Sequence, residues 1–249
     1  MKQTRRTTAM KIIDKTIPKN SYNRPGTKSV PKKICIHYEG NPGCGAANAA
    51  AYQLNVAKGV FKSVGPNAWT SSQYVVGING EIIRCVPDNE VAYAAANNNA
   101  GVIHVEVCHA NSSGVFSSAA ISVLSELIPY LMKKYGISAD NVVRHYDLTG
   151  KHCPLYYVNN TRWAKLKAAI TAPEQPKEPS VGDSVMIIAP YAQSAYSTTG
   201  TATTAIGQKR YITQIYKGAA YPYRVGVKKG DNSTVNTTGF AKENGLKRV

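Results

Sequence analysis

The sequence predicts an α/β protein in which a mixed central β-sheet flanked by helices is followed by a small all-β domain. Three observations support this fold class. An alternating segment, 32–38 (KKICIHY), leads into an alanine-rich segment with apolar residues at helical spacing, 45–61. The dipeptide Asn79-Gly80 stands between two β-branched runs, which predicts a hairpin because both positions tolerate positive φ. A proline-rich segment, 171–180, separates these patterns from short β-rich runs.

The remaining elements of the first domain follow in chain order. They are a hairpin over 73–86, a buried strand over 101–108, a helix over 117–135, a strand over 141–146, a loop to Pro154 and a closing helix over 161–170. The long helix is predicted because Ile121, Leu124, Ile128 and Leu131 share one face. Strands that alternate with helices in this way indicate a sheet covered by helices.

The proline-rich segment predicts the boundary between two domains. Residues 171–180 (TAPEQPKEPS) hold three prolines and three charges, as extended linkers do. We expect a first domain over 1–172 with its core at about 30–170, a linker over 173–180 and a second domain over 181–249. Gly, Ser and Thr clusters separate the β-rich runs of the second domain, which is typical of a small barrel or sandwich.

Charge narrows the class of binding partner. Lysine and arginine number 30 against 14 acids, a net charge of +16, and residues 1–33 hold ten of the bases against the single acid Asp14. Such a chain favours polyanions: nucleic acid, anionic lipid or the teichoic-acid-bearing walls of Gram-positive bacteria. No stretch has the apolar length of a secretory signal or a membrane span, so we expect cytoplasmic synthesis and no integral membrane segment.

Three side chains satisfy the demands of a metal site. The five cysteines lack paired spacing, which favours free thiols or a metal ligand over a disulfide scaffold. A catalytic zinc site takes three ligands from His, Cys and carboxylates and keeps one position open. His37 and His145 end predicted strands, and Cys153 follows across a loop with Gly150, so the three can converge at one sheet edge. Taken singly, a hydrogen-bonded loop histidine and a buried thiol are the commoner interpretations.

Four motifs occur in a recognisable order. They are IHYEGNPG (36–43), VGINGEII (76–83), VEVC (105–108) and RHYDLTGKHCP (144–154). Together they resemble the type-2 N-acetylmuramoyl-L-alanine amidase family, which includes phage endolysins and bacterial autolysins and is related to the peptidoglycan recognition proteins. The resemblance covers about residues 30–170, and RHYDLTGKHCP is its most specific part.

The resemblance implies zinc-dependent hydrolysis of the amide between N-acetylmuramic acid and L-alanine in peptidoglycan. By motif, the zinc ligands fall on His37, His145 and Cys153, the third being Cys or Asp in different members. The acidic catalytic residue falls on Glu106, which strand alternation places on the face opposite its two valine neighbours. Lys151 matches a lysine beside the metal that would stabilise an anionic intermediate, with a solvated loop lysine as the alternative.

Two positions depart from the family pattern. Ala94 stands where many members carry a histidine, so one substrate contact is expected to be missing. His104 replaces a small or apolar residue before the acid; it shares the strand face of Glu106 and is either a substrate contact or a polar rim residue. The two other histidines, His109 and His152, rank below the three named ligands as candidates.

The second domain resembles the bacterial SH3-like modules that follow many endolysin catalytic domains. The similar segments are VGDSV (181–185), GQKRYITQIY (207–216) and GFAKENGLKRV (239–249). The domain carries nine bases against three acids and six tyrosines, which suits binding to cell-wall polymers. Ordinary half-buried strand tyrosines are the alternative interpretation.

These observations predict a bacteriolytic peptidoglycan hydrolase that acts on Gram-positive cell walls. Without a secretory signal, we expect an endolysin of phage type that reaches the wall through a permeabilised membrane. A noncatalytic peptidoglycan sensor is the alternative, and Cys153 argues against it because sensors lack this cysteine. No recognised motif supports nucleic-acid binding, so nucleic acid is not an expected partner.

Overall fold

The chain folds into two compact units, Met1–Gln175 and Pro176–Val249. The computed structural model describes residues 10–65, 69–172, 179–231, 233 and 236–249. Most of the predicted linker, residues 173–178, lies outside this set. Within the described ranges, no helix combines the length and apolarity needed to cross a membrane.

The first unit is a six-stranded mixed sheet with helices on both faces, which confirms the α/β fold class. Its elements are β1 (Ile12–Asp14), β2 (Lys33–Tyr38), α1 (Ala46–Ala57), β3 (Tyr74–Val76), β4 (Ile82–Arg84), β5 (Val102–Val107), α2 (Ser118–Tyr135), β6 (Val142–Arg144), α3 (His145–Thr149) and α4 (Asn160–Thr171). The strand order is β1-β4-β3-β5-β2-β6. Only β3 and β4 pair antiparallel among these strands; β2 lies parallel to both β5 and β6.

Strand alternation separates the two faces of this sheet. Ile34 and Ile36 of β2 and Val105 of β5 point into the main core, where apolar residues of α2 and α4 cover them. The alternate residues of β2 and β5 point to the opposite face. In the parallel register, Cys35 lies beside His104 and His37 lies beside Glu106. The side chains that could take part in chemistry therefore share one face of the sheet, opposite the main apolar core. They are those of Cys35, His37, His104 and Glu106.

Capping defines the long helix that covers the core. The Ser117 hydroxyl accepts a hydrogen bond from the Ala120 amide at 3.0 Å, as N-cap serines do. Gly136 ends the helix with a φ of +66°, a left-handed conformation that glycine adopts without strain. The predicted helix over 117–135 is thus confirmed to within one residue.

Two local predictions differ from the structure, and one strand was not predicted. The hairpin of β3 and β4 is present, but its turn spans Gly77 to Glu81, and of the Asn79-Gly80 pair only Gly80 has positive φ. The stretch after β6 is not all loop, because α3 forms there; five residues are too few to show a helical period. Strand β1, three residues long, is unpredicted because it is too short to show alternation.

A buried carboxylate fastens α2 to the sheet. Asp88 accepts hydrogen bonds from the Tyr74 hydroxyl at 2.6 Å, the Tyr135 hydroxyl at 2.6 Å and the Lys134 ammonium at 2.8 Å. Burial opposes ionisation of Asp88, but these three donors outweigh it and hold the pKa of the carboxyl below its ordinary value. The ionised carboxylate is therefore part of the folded state at neutral pH.

We expect Asp88→Asn to lower the free energy of unfolding at pH 7 by about 2 kcal/mol, because a charged acceptor is lost. Since the folded pKa is depressed, this stabilisation is fully present above the unfolded pKa of about 4 and is lost as pH falls through the folded value. The gap between wild type and variant should close below about pH 4. Urea unfolding between pH 7 and pH 3 measures this difference in unfolding free energy, with a substitution at an exposed residue, Asp140→Asn, as control. A difference that does not change with pH would contradict the stabilising role of the ionised Asp88 carboxylate.

The second unit is an antiparallel sheet of five strands. These are β7 (Ser184–Ile187), β8 (Lys209–Ile215), β9 (Tyr223–Gly226), β10 (Thr237–Ala241) and β11 (Leu246–Arg248), in the order β10-β9-β8-β7-β11. Val185, Ile187, Ile212 and Val225 form the centre of its core. The predicted β-rich runs after the linker thus correspond to β7, β8 and β9.

Candidate metal centre

Two imidazoles and one thiol meet at the edge of the first sheet. His37 lies near the end of β2, His145 is the first residue of α3, and Cys153 follows the turn after α3. One donor atom from each lies within 4.8 Å of the other two, and the Cys153 Sγ to His37 Nδ1 distance is 3.8 Å. Their exposed fractions are 1%, 5% and 2%. The structure therefore brings together the three residues predicted as ligands, although none is sequence-adjacent to another.

The RHYDLTGKHCP motif folds so that two of these donors face one point. The Arg144 amide donates to Asp147 Oδ2 at 2.7 Å, and its guanidinium pairs with the same carboxylate at 2.6 Å. The guanidinium also donates to the carbonyls of Tyr157 and Val158, at 3.0 and 2.8 Å. At the other end of the motif, the amide following His145 donates to the Cys153 carbonyl at 2.8 Å. These bonds fix the loop that carries His145 and Cys153.

The chemistry of this donor set fits a divalent metal ion. Burial, with smaller contributions from nearby His104 and His145, lowers the pKa of His37 well below its ordinary value. Burial likewise lowers the pKa of His145 to about 4. Both imidazoles are therefore neutral at pH 7 and present lone pairs. Among the described residues, the buried Nδ1 of His145 has no hydrogen-bond partner, an arrangement that a bound cation would satisfy.

The thiol needs a cation before it can ionise. Burial, followed by the negative charge of Glu106, raises the pKa of the Cys153 thiol well above its ordinary value. The Tyr38 amide points at Sγ from 3.4 Å and favours the thiolate. A metal ion bound here would displace the thiol proton, so its capture would be coupled to deprotonation of Cys153.

Glu106 and Lys151 both face the open side of the three donors. Glu106 Oε1 lies 3.7 Å from His37 Nδ1, and its side chain is 19% exposed. Burial, followed by repulsion from Glu39, raises the pKa of Glu106 well above its ordinary value, while Lys151 opposes the rise. Lys151 itself is exposed and lines the same cleft. The arrangement offers one carboxyl able to hold a proton and one nearby cation.

The other histidines occupy three different environments. His152 is exposed and lies against the Tyr146 ring, with centroids 5.9 Å apart. His109 is buried, and its Nδ1 lies 2.7 Å from the Asn111 carbonyl. His104 is fully buried and is absent from the cleft lining, so neither a substrate contact nor a rim position describes it. Its neighbour is His37.

A cleft of about 1050 Å³ opens beside the donors. Tyr52, Trp69 and Tyr93 contribute aromatic surface to its walls, and Ala94 lines it at the position where the family pattern carries a histidine. Rings of this kind suit the faces of sugars and peptide planes. The cleft is large enough for several residues of a glycopeptide.

Glu39 is a cleft residue that the motifs did not single out. It lies two positions after His37, so strand parity was the signal that could have identified it. Its Oε2 is buried without a hydrogen-bond partner among the described residues, and burial raises its pKa to about 7. Trp69 gave no such signal, because it lies in a connection without periodic pattern.

Fold and site together define a class of protein: an α/β domain with a His-His-Cys candidate metal centre, a half-buried carboxyl beside it and a large cleft that both line. A sequence profile described as N-acetylmuramoyl-L-alanine amidase matches residues 27–155, just over half of the chain. The chain belongs to this family.

Individual relatives agree with the family assignment. A probable N-acetylmuramoyl-L-alanine amidase of Bacillus licheniformis is 32% identical over 164 residues, covering 61% of this chain and 44% of the relative. The amidase BlyA of Bacillus subtilis is 28% identical over 261 residues, covering 86% of this chain and 68% of BlyA. A solved structure of a mutant endolysin from Bacillus subtilis is 33% identical with a TM-score of 0.54, covering 65% of this chain and 99% of that one. The chain thus spans less than half of the first relative.

Proposed function

We propose that this chain is a peptidoglycan hydrolase that cleaves the amide between N-acetylmuramic acid and L-alanine with the help of zinc. The observation that carries the proposal is the convergence of His37, His145 and Cys153 beside Glu106 at the floor of the cleft. Membership of the amidase family supports the proposal that the amide between N-acetylmuramic acid and L-alanine is the bond cleaved. The proposal extends to an endolysin that acts at the bacterial cell wall.

His37, His145 and Cys153 would hold the zinc ion, since two imidazoles and a thiolate form a donor set that zinc accepts while keeping one position open. When bound, zinc supplies Lewis-acid chemistry: it polarises a carbonyl and acidifies water. The burial of all three donors excludes bulk solvent from their side of the site. The open side faces the cleft, where substrate enters.

Glu106 and Lys151 supply the remaining steps. Glu106 Oε1 accepts a proton from the attacking water and then delivers it to the amide nitrogen of L-alanine, which leaves as an amine. The raised pKa of Glu106 suits this task, because a more basic carboxylate takes a proton from water more readily than an ordinary one. The Lys151 ammonium stabilises the negative charge that develops on the lactyl carbonyl oxygen.

The decisive experiment is the digestion of purified Gram-positive cell walls. Amidase action releases free amino termini without new reducing sugars, a chelator stops it, and added zinc restores it. New reducing sugars would indicate a glycosidase, and activity that persists in chelator would contradict the metal. Wall binding without any cleavage would favour the noncatalytic sensor.

For the second unit we propose an SH3-like wall-binding module over residues 181–249, joined to the catalytic domain 1–172 by the linker 173–180. The five-stranded antiparallel sheet and the nine bases, against three acids, support this role. Its partners would be peptidoglycan and the anionic polymers of Gram-positive walls. Binding of this kind would concentrate the catalytic domain on its substrate.

The tyrosines of this module differ in how far their side chains are exposed to solvent. Tyr191, Tyr221 and Tyr223 are buried, whereas Tyr196 is 72% exposed and rests edge-on against Tyr216 at 6.4 Å. Tyr196 is therefore the tyrosine best placed to meet a wall ligand.

We expect Tyr196→Ala to weaken binding to intact walls by about 2- to 10-fold, the effect of losing one stacked aromatic ring. Co-sedimentation of the full chain with walls measures it, with Glu106→Gln present in every protein compared to prevent digestion. Tyr130→Ala, which removes a partly exposed tyrosine from the first unit, serves as control. Equal binding by all three proteins would exclude Tyr196 from the ligand site.

A further inference from the structure

His104 lies directly beneath the candidate metal centre. It stands on β5, opposite Cys35 in the parallel register with β2, and is 0% exposed. Its ring contacts the His37 ring edge-on, with centroids 5.1 Å apart. The two rings meet through nitrogen atoms, since His104 Nδ1 lies 3.0 Å from His37 Nε2. Two buried imidazoles at this distance share a proton in one hydrogen bond.

The two nitrogens of His37 face different partners. Nδ1 faces the cleft side, 3.8 Å from Cys153 Sγ and 3.7 Å from Glu106 Oε1. Nε2 faces His104. A neutral imidazole carries one proton, and a nitrogen that binds a metal must be without it. If Nδ1 is the ligand atom, the proton belongs on Nε2, where His104 is the acceptor within reach.

We infer that His104 is a positioning residue: its Nδ1 accepts the Nε2 proton of His37 and thereby holds His37 in the tautomer and orientation that leave Nδ1 free for the metal. The inference rests on the proposed function, because it concerns the same site. Metal-binding histidines generally have their second nitrogen fixed by an outer partner, and loss of that partner weakens metal binding. Here another histidine takes the place usually filled by a carboxylate or carbonyl.

The surroundings of His104 hold it in place to act as acceptor. Gln73 forms two hydrogen bonds with the His104 backbone. The His104 amide donates to Gln73 Oε1 at 2.7 Å, and the Gln73 amide donates to the His104 carbonyl at 3.1 Å. The Gln73 side chain is itself fixed, because its Nε2 donates to the Glu90 carbonyl at 2.8 Å. All of these groups are buried. The backbone that carries His104 is therefore fixed, and burial confines the ring beside His37.

A second interpretation of the same atoms is a metal site of its own. Donor atoms of Cys35, His37 and His104 also lie within 4.8 Å of one another. The hydrogen bond is favoured because the 3.0 Å separation is that of a donor and its acceptor, and because Cys35 and His104, unlike Cys153, do not line the cleft. Metal stoichiometry distinguishes the two interpretations.

The test measures zinc affinity by competition with a chromophoric chelator in four proteins: wild type, His104→Leu, His104→Asn and His109→Leu. His104→Leu should bind zinc about 10- to 100-fold more weakly, since it removes the acceptor. His104→Asn keeps an oxygen acceptor near the place of Nδ1 and should recover most of the loss. His109→Leu removes an equally buried histidine that does not touch His37, and its affinity should match wild type.

A spectroscopic measurement on metal-free protein tests the hydrogen bond directly. The ¹⁵N shifts of His37 should report the Nε2-protonated tautomer in wild type and in His104→Asn, and a mixture of tautomers in His104→Leu. Wild-type zinc affinity in His104→Leu, or equally weak binding by His104→Asn and His104→Leu, would overturn the inference. So would two zinc ions per wild-type chain with one lost in His104→Leu. Absence of zinc from wild type would contradict the proposed function instead. In that case the ¹⁵N shifts of His37 would still show whether the hydrogen bond to His104 is present.

Discussion

The substitution Glu106→Gln should reduce the rate of muropeptide release by about 10²- to 10⁴-fold, the usual contribution of a general acid–base. Glutamine has nearly the shape of glutamate but cannot take a proton from water or return it to the leaving amine. The neighbouring His37 should be little disturbed, because Glu106 lies 3.7 Å from it, beyond a hydrogen bond. Release of free amino termini from purified walls measures the rate.

Two controls separate catalysis from metal loss. Zinc content of Glu106→Gln should equal that of wild type, since the three proposed ligands are untouched. Glu126→Gln removes a glutamate of α2 outside the cleft and should retain full activity. Full activity in Glu106→Gln would remove Glu106 from the proton-transfer role, and a coincident loss of zinc would reassign it to metal retention.

The second large effect is expected at Cys153. Cys153→Ala removes one of three protein donors, and about a third of a typical zinc binding free energy of about 10–16 kcal/mol corresponds to a loss of about 10²- to 10⁴-fold in affinity. Amidase activity should fall with it at limiting zinc. Cys153→Asp supplies a carboxylate that zinc also accepts and should restore part of the affinity.

Zinc titration with parallel activity assays measures this effect. Cys85→Ala is the matched control, because Cys85 is an equally buried free cysteine outside the donor set, and its zinc affinity should not change. Unchanged zinc affinity in Cys153→Ala would show that the metal is bound elsewhere. Activity of Cys153→Asp no higher than that of Cys153→Ala would argue against ligation at this position.

The fold class and the long elements were predictable because their signals are periodic. Alternation in β2 and β5 and the apolar face of α2 extend over enough residues to be recognised. Strand β1 and helix α3 were not predictable, since three and five residues carry no period and depend on tertiary partners. The RHYDLTGKHCP motif still singled out His145 and Cys153, which the structure brings close to His37, because motif order does not require the local structure to be known.

The environment of single residues was harder to predict than their proximity. His104 was expected to be a substrate contact or a polar rim residue because it shares the strand face of Glu106, but it is fully buried and its ring lies against His37. Glu39 shares the parity of His37, yet parity alone does not show which carboxyl lies in the cleft. Both outcomes depend on neighbours that are distant in sequence. Local sequence patterns do not show which distant residues become neighbours.

In the sheet of the first unit, the residues of the main core and the residues of the candidate site lie on opposite faces. On β2 and β5 every second residue belongs to the apolar packing, and His37, His104 and Glu106 lie at positions between them. Substitutions among Ile34, Ile36 and Val105 can therefore tune thermal stability with little change in catalytic groups, so an engineer could improve the two properties independently. An inserted residue in either strand would be far less tolerable, because it would turn polar side chains inward and apolar ones outward beyond the insertion.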